Sequence, residues 1–271
     1  MTLLHRAYRL FQSDGAGAVT NEAQKKFGKR FDPIYQLVKP EYKEYRIGDA
    51  SAEFNMSGRR LDRHDFVDDI RSERSLIERV LSVVEEDDVF YDIGANVGIY
   101  SCLIGSHLSS GKVVAFEPTP DACDVLRRNV DRNNVPVEVF NVALSDTNDT
   151  TQMAVKGQTG HQFADKSDDT IEIETRCGDD LVTEHKLEPP NVCKIDIEGA
   201  EYLALKGLHG TLSDPNCRRI FCEIHTEKIQ EIGGSADAVE TLLRDLGFEI
   251  EYLGERRANY FIEASRSVRN K

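Results

Sequence analysis

From residue 88 onward the sequence alternates two apolar periods, and that alternation constrains the fold more than any other feature. "VFYDIG" is a short apolar run, "GIYSCLIGSHL" has helical spacing, and "GKVVAFEP" is a second apolar run that stops at Pro118. "PDACDVLRRNVDRN" is helical again, with Pro120 and Asp121 in a first turn that favours both. "VPVEVFNVAL" supplies a third strand. Strand, helix, strand, helix, strand in this order implies parallel strands joined by right-handed crossovers. "NVCKIDIEG" and "RRIFCEIH" read as a fourth and a fifth strand, "AEYLALKGLHGTL" and "SADAVETLLRDLG" as helices, and the latter ends at Gly247. "FEIEYLG" and "NYFIEAS" close the chain as a hairpin, so one strand there should run antiparallel.

Two segments break the rhythm. Residues 1 to about 80 are irregular, with a short amphipathic start "MTLLHRAYRLF", a Gly-rich break at "SDGAGAV" and a hairpin signal in "YKEYRIGDASAEFNM". "RSERSLIERVLSVV" then carries one apolar stripe at helical spacing. Residues 145–190 are polar, with β-like pieces at "TQMAV" and "TIEIETR", and read as an insertion over the carboxyl edge of the sheet. The expected division is a cap segment over 1–80 and one α/β domain over 81–271 that carries the insertion.

Composition narrows the partners. The net charge of −14 speaks against nucleic acid, which needs a basic face. Solvated surface accounts for the acidity, and a high-salt cytoplasm would also suit it. No apolar run approaches the roughly 20 residues of a membrane span, so no integral membrane association is expected. Cys102, Cys123, Cys177, Cys193, Cys217 and Cys222 form no Cys-x-x-Cys pair. They read as reduced, small apolar residues of a cytoplasmic protein.

A glycine turn such as "DIGANVG", between a strand and a helix, is a common place for a ligand, and a tight connection with none is the alternative. A phosphate-binding loop needs a Gly-Lys-Ser/Thr end, and Gly98 is followed by Ile99 and Tyr100. A dinucleotide fingerprint needs a middle glycine where Asn96 stands, and Asp92 would repel a diphosphate. S-adenosylmethionine carries no phosphate, and its cationic parts suit a carboxylate at a strand end. Glu117 ends the second strand, where an acid can accept both ribose hydroxyls. A bare strand-to-helix turn would leave Asp92, Glu117 and the later strand-end acids without a purpose.

"DIGANVGIYS", "VVAFEPTPDACDVLRRNVDRN", "NVALSD" and "KIDIEGAEYLALKGL" together resemble the FkbM family of S-adenosylmethionine-dependent methyltransferases, from about residue 75 to 265. The resemblance implies a Rossmann-like class I fold: a mostly parallel seven-stranded sheet, helices on both faces and a C-terminal antiparallel hairpin. It implies that Asp92, Gly94, Ala95, Asn96 and Gly98 form the cofactor loop, with Glu117 on the ribose and Pro118 and Thr119 beside the adenosine. Asn141, Val142 and Ala143 match the adenine side, and Asp196 faces the methionine end and the acceptor. Members mostly methylate oxygen on sugars or natural-product hydroxyls, so a small-molecule or glycan acceptor is implied.

Oxygen methylation needs positioning and a place for the proton. His225 ends the fifth strand, where ligands collect in an open α/β sheet, and is the candidate base; a hydrogen-bonded structural histidine is the competing reading. Asp196, Glu198 and Glu223 stand at the neighbouring strand ends and could bind a hydroxyl, orient His225 or hold a divalent metal, although the spacing gives no firm ligand set. Glu201 is placed to complement a helix dipole, and Lys194 to serve as an ion-pair partner or a substrate contact. Tyr100 and Ser101 open the helix beside the cofactor; His161 lies in the inserted segment, and His107, His185 and His209 read as surface residues. Two other readings stand beside the enzyme: a non-catalytic cofactor-binding subunit of a glycan-modifying complex, and a nicotinamide oxidoreductase. A homodimer is allowed.

Overall fold

A computed structural model describes residues 41–55, 66–156, 160–163, 170–256 and 258–266 of the 271. The N-terminal amphipathic stretch and the Gly-rich break lie outside the described residues. The strands are β1 (Tyr42–Ile47), β2 (Ala50–Asn55), β3 (Val89–Ile93), β4 (Lys112–Phe116), β5 (Val137–Phe140), β6 (Ala143–Ser145), β7 (Asp149–Lys156), β8 (Gly160–Phe163), β9 (Thr170–Cys177), β10 (Val192–Ile195), β11 (Arg219–Ile224), β12 (Glu249–Arg256) and β13 (Asn259–Ser265). The helices are α1 (Phe66–Leu81), α2 (Ile99–His107), α3 (Pro120–Asn133), α4 (Gly178–His185), α5 (Glu201–Gly207), α6 (His209–Leu212), α7 (Lys228–Glu231) and α8 (Ala236–Asp245).

Seven strands form the central sheet in the order β12-β13-β11-β10-β3-β4-β5. β11, β10, β3, β4 and β5 run parallel, and β13 pairs antiparallel with both β11 and β12. The chain is therefore α/β, with the parallel strands and the antiparallel C-terminal hairpin that the sequence pattern predicts and the Rossmann-like arrangement that the family resemblance implies. Alternate residues of the buried strands feed two cores. Tyr91, Ile93, Val114, Phe116, Ile195 and Cys222 face the layer that holds α5, α6 and α8. Phe90, Val113, Ala115, Val192 and Phe221 face α1, α2, α3 and the β1–β2 hairpin. Each large side chain so buried contributes about 1.5–3 kcal/mol. All six cysteines are free, and five of them are buried. No helix among the described residues is long and apolar enough to cross a membrane.

The third predicted strand divides. β5 stays in the central sheet, while β6 leaves it and pairs in parallel with β9 in a second sheet of order β6-β9-β7-β8. Asn141 marks the break: its Nδ2 donates to the carbonyls of Glu117 and Pro118, 2.8 and 2.9 Å away, and pulls the chain off the edge. α1 begins at Phe66, inside the stretch expected to be irregular, and places Ile77 and Val80 in the core. The β1–β2 hairpin docks through asparagines of α3. Asn129 Oδ1 accepts from Asn55 N at 3.0 Å, while its Nδ2 donates to Val97 O at 2.8 Å, so one buried amide ties the hairpin to the glycine turn. At the opposite end of the sheet, Arg218 grips both carboxylate oxygens of Asp88 at 2.7 and 2.6 Å.

Candidate active site

The carboxyl ends of β4, β3 and β10 are adjacent in the sheet, and one cavity crosses all three. The turn after β3 holds Gly94, Asn96 and Gly98 at positive φ (81°, 50° and 87°). Gly94 and Ala95 donate their N–H to Phe116 O at 2.9 and 3.0 Å, Asn96 donates to Glu117 Oε2 at 2.9 Å, and Gly98 donates to Ala95 O at 2.8 Å. The turn thus spends four N–H groups on the protein itself, which leaves it poorly equipped to cradle a phosphate. Gly94 and Gly98 are also needed for close approach. A Cβ on the first would collide with the Asp196 carbonyl, and one on the second with Leu126.

Gly94, Ala95, Asn96, Glu117, Pro118, Thr119, Val142, Ala143 and Asp196 all line this cavity. Gly98 supports the turn from behind, against Leu126, and Asn141 is spent on the β5–β6 break. Glu117 is buried at 6% exposure, and burial raises its pKa against the hydrogen bonds that hold its charge. Those bonds come from Thr119 N (2.8 Å) and Thr119 Oγ1 (2.6 Å) on one oxygen and Asn96 N on the other, so the carboxylate has one orientation.

Asp92 departs from the sequence expectation. It has no exposed surface and does not line the cavity. Its Oδ2 accepts from Ser101 N at 3.0 Å and Ser101 Oγ at 2.6 Å, which fixes the first turn of α2. Ser101 is correspondingly a partner of Asp92, whereas Tyr100 does line the cavity. Lys194 takes the ion-pair role, one of the two its position allowed. Its Nζ lies 3.6 Å from Asp92 and 3.5 Å from Asp196, donates to Gly94 O at 3.2 Å, and sits 4.9 Å above the Tyr100 ring. Burial would neutralise this lysine, but Asp196, Asp92 and Glu73 outweigh burial and raise its pKa. The same pairing lowers the pKa of Asp196 despite burial, with His225 and Arg256 helping.

Beyond Asp196 stands a second group. His225 is 2% exposed, and its Nδ1 lies 2.6 Å from Oε1 of Glu201, which has no exposed surface. A carboxylate only accepts, so Nδ1 carries the proton and Nε2 is left for chemistry when the ring is neutral. Nε2 is 3.7 Å from Glu198, 3.7 Å from Glu223 and 3.9 Å from Asp196. Burial lowers the histidine pKa, yet Glu201, Asp196 and Glu223 together raise it. Glu223 is itself raised, by burial and then by Asp196, although Asn259 donates to it at 3.0 Å. Glu198, held in the left-handed region at φ 55°, pairs with Lys228. Asp196, Glu223 and His225 offer ligand atoms within 4.8 Å of one another, a spacing a metal ion could use.

Sequence reasoning missed Glu73, and of Glu201 it found the helix start but not the histidine contact. Glu73 reaches the cavity from α1, and Glu201 is a buried histidine partner as well as the first residue of α5. Of the remaining histidines, His107 is not a bare surface residue: its ring lies 3.4 Å from Asp49 and 3.3 Å from Val84 O. His185 packs edge-on against Phe140 at 4.9 Å, and His209 is exposed. His161 falls on β8, and its side chain lies outside the described residues.

The family model for the methyltransferase FkbM domain matches residues 92–250. Hexuronic acid methyltransferase AglP of Haloferax volcanii is 34% identical over 162 residues, covering 58% of this chain; the chain spans 64% of that relative's length. The 31-O-demethyl-FK506 methyltransferase FkbM of Streptomyces tacrolimicus is 28% identical over 198 residues, covering 60% of this chain and 73% of the relative. A solved methyltransferase FkbM from Methylobacillus flagellatus aligns with a TM-score of 0.47 at 16% identity, over 68% of this chain and 45% of that one. The matched segment runs from Asp92, at the end of β3, past β11 and the His225 that follows it, more than half of the sequence, and the chain belongs to the FkbM methyltransferase family.

Proposed function

We propose that this chain is an S-adenosylmethionine-dependent methyltransferase that methylates a hydroxyl oxygen of a sugar, glycan or small metabolite. The observation that carries the reading is one cavity with an oriented carboxylate, Glu117, at one end and the Asp196–His225 group beside the other. The residues suit the cofactor. The turn's committed N–H groups disfavour phosphate, Glu117 can accept from a ribose diol, and Ala143, Leu144 and Met153 give apolar wall for an adenine.

When bound, S-adenosylmethionine supplies an electrophilic methyl on a sulfonium cation. Glu117 fixes the nucleoside end, and Thr119 and Asn96 fix Glu117. Glu201 holds the Nδ1–H tautomer of His225, so that Nε2 accepts the proton of the acceptor hydroxyl. Asp196 and Glu223 are placed to accept hydrogen bonds from neighbouring hydroxyls of a polyol and to stabilise the imidazolium that forms. A divalent cation at Asp196, Glu223 and His225 is the weaker reading, because Lys194, Arg256 and Glu201 already partner these groups. We read residues 81–271 as the catalytic domain, and the inserted sheet as a cover over the carboxyl edge of the central sheet, since Met153 of β7 lines the cavity. The relative AglP is named for a hexuronic acid, which favours a sugar acceptor.

The test is calorimetry with S-adenosylhomocysteine, followed by methyl transfer from labelled cofactor to a panel of sugars and glycans. Absence of binding at millimolar ligand would sink the cofactor assignment. Binding without transfer to any acceptor, in the wild type and under varied pH, would favour a non-catalytic subunit.

A further inference from the structure

The acids along the cavity have different partners. Glu117 is held by Thr119 and Asn96, Asp196 by Lys194, and Glu198 by Lys228. Glu73 stands apart. Among the described residues, it is the one side chain that α1 contributes to the cavity, and α1 lies outside the family-matched segment. Its charged neighbours are Asp196 and Lys194, at the end of β10, together with Arg256, and it lies against Tyr100. Its Oε1 accepts from Arg256 Nη1 at 3.1 Å, and Arg256 is half exposed on β12. Burial and the charge of Asp196 raise the Glu73 pKa beyond what Lys194 and Arg256 lower it. A cation entering beside Glu73 would therefore gain from two acids and relieve their repulsion.

Resting on the cofactor reading above, we propose that Glu73, backed by Asp196, is the binding site for the α-ammonium group of the cofactor's amino-acid arm. The cavity's polarity assigns it. With the nucleoside on Glu117, the arm extends across β3 toward β10 and meets Glu73 there. Of the two cations the cofactor carries, only the ammonium has N–H donors, so only it rewards a carboxylate with charge-assisted hydrogen bonds. Asp92, the acid that the glycine-turn pattern would nominate, is buried beneath Ser101 and Lys194 and does not line the cavity.

Calorimetry on the full chain and on Glu73→Gln separates this role from a structural one. Three ligands are used: S-adenosylhomocysteine, its deaminated analogue that keeps the carboxylate, and 5′-methylthioadenosine, which lacks the amino-acid head. Glu73→Gln should weaken S-adenosylhomocysteine by about tenfold or more, the loss of a charge-assisted hydrogen bond. The other two ligands should bind both proteins within about twofold, and their binding also reports that the variant is folded. An equal loss for all three ligands would mean that Glu73 only shapes the wall, and no loss for any would remove it from the site; either result overturns the proposal. If the wild type binds none of the three, the cofactor reading fails first and this assignment falls with it.

Discussion

His225 Nδ1 and Glu201 Oε1 stand 2.6 Å apart, and neither residue is more than 2% exposed. The ring's other nitrogen lies 3.7 Å from Glu198, 3.7 Å from Glu223 and 3.9 Å from Asp196, and Glu198 is shared with Lys228. The histidine pKa is raised because Glu201, Asp196 and Glu223 outweigh burial. A base works only when deprotonated, so the acidic limb of the rate profile should lie above the usual imidazole value of about 6.5. Glu201→Gln should move that limb to lower pH and reduce the plateau by about 10- to 100-fold, as the tautomer is no longer fixed. The linked stability has a matching sign. The charged pair stabilises the fold below the usual imidazole pKa, and that contribution disappears as pH rises through the raised folded-state value. Methyl transfer measured against pH for both proteins checks the limb, and an unmoved limb would take His225 out of the base role.

Asp92 serves the fold before it serves the ligand. Asp92→Asn keeps the shape but leaves the buried Lys194 with one acid fewer and weakens the anchor of Ser101. Breaking one member of such a buried set costs about 3–5 kcal/mol. The ligand-free chain should therefore melt well below the wild type. A variant with wild-type stability but poor cofactor affinity would show that Asp92 contacts the ligand after all.

The nucleoside end gives a cleaner affinity test. Glu117→Gln removes the charge that a ribose diol would meet and costs about 1–3 kcal/mol of nucleoside binding. Adenosine should lose that affinity, and adenine, which has no diol, should not. Competition of the two against labelled S-adenosylhomocysteine checks this, and a matched loss for adenine would mean that the turn itself had shifted, since Glu117 also accepts from Asn96 and Thr119.

The parallel sheet was legible because apolar runs and helical stripes alternate without interruption, and each turn is punctuated by glycine or proline. Glu117, Asp196 and His225 were legible for a related reason: each follows or ends a buried run, and position at a strand end is a property that sequence displays. Glu73 was not. In "RSERS" it is one charge among several on a helix, and its placement depends on how α1 packs against α2 and the C-terminal hairpin. Glu201 and His225 are 24 residues apart, and their bond exists because β10 and β11 are neighbours in register. Asp92 misled because a strand-end acid can turn toward the ligand or toward the helix that follows. Here the Ser101 hydroxyl, in the first turn of α2, decides for the helix. The split of β5 from β6 was hidden because "VEVFNVAL" is mostly apolar on both sides of Asn141 and reads as one strand, and the Asn141 bonds to Glu117 and Pro118 break it.

Gly94 packs the glycine turn against the Asp196 backbone, and a single methyl group should report that contact. Its φ of 81° is uncommon for a side-chain-bearing residue, and a Cβ would strike the Asp196 carbonyl and the Ile197 side chain. Gly94→Ala therefore must displace either the turn or the chain that carries Asp196. Lys194 binds both Gly94 O and Asp196, so neither can move alone. The expected outcome is a stability loss of more than about 1 kcal/mol, the ordinary cost of alanine where φ is positive, together with at least tenfold weaker S-adenosylhomocysteine binding. Thermal unfolding and calorimetry on the same preparation check the two parts. Gly247→Ala is the control: its φ of 88° is equally strained, but nothing lies within 4 Å of the added carbon, so it should lose stability without losing affinity. If both variants lose affinity alike, the effect is general loosening of the fold, and the proposed contact between the turn and Asp196 does not transmit it.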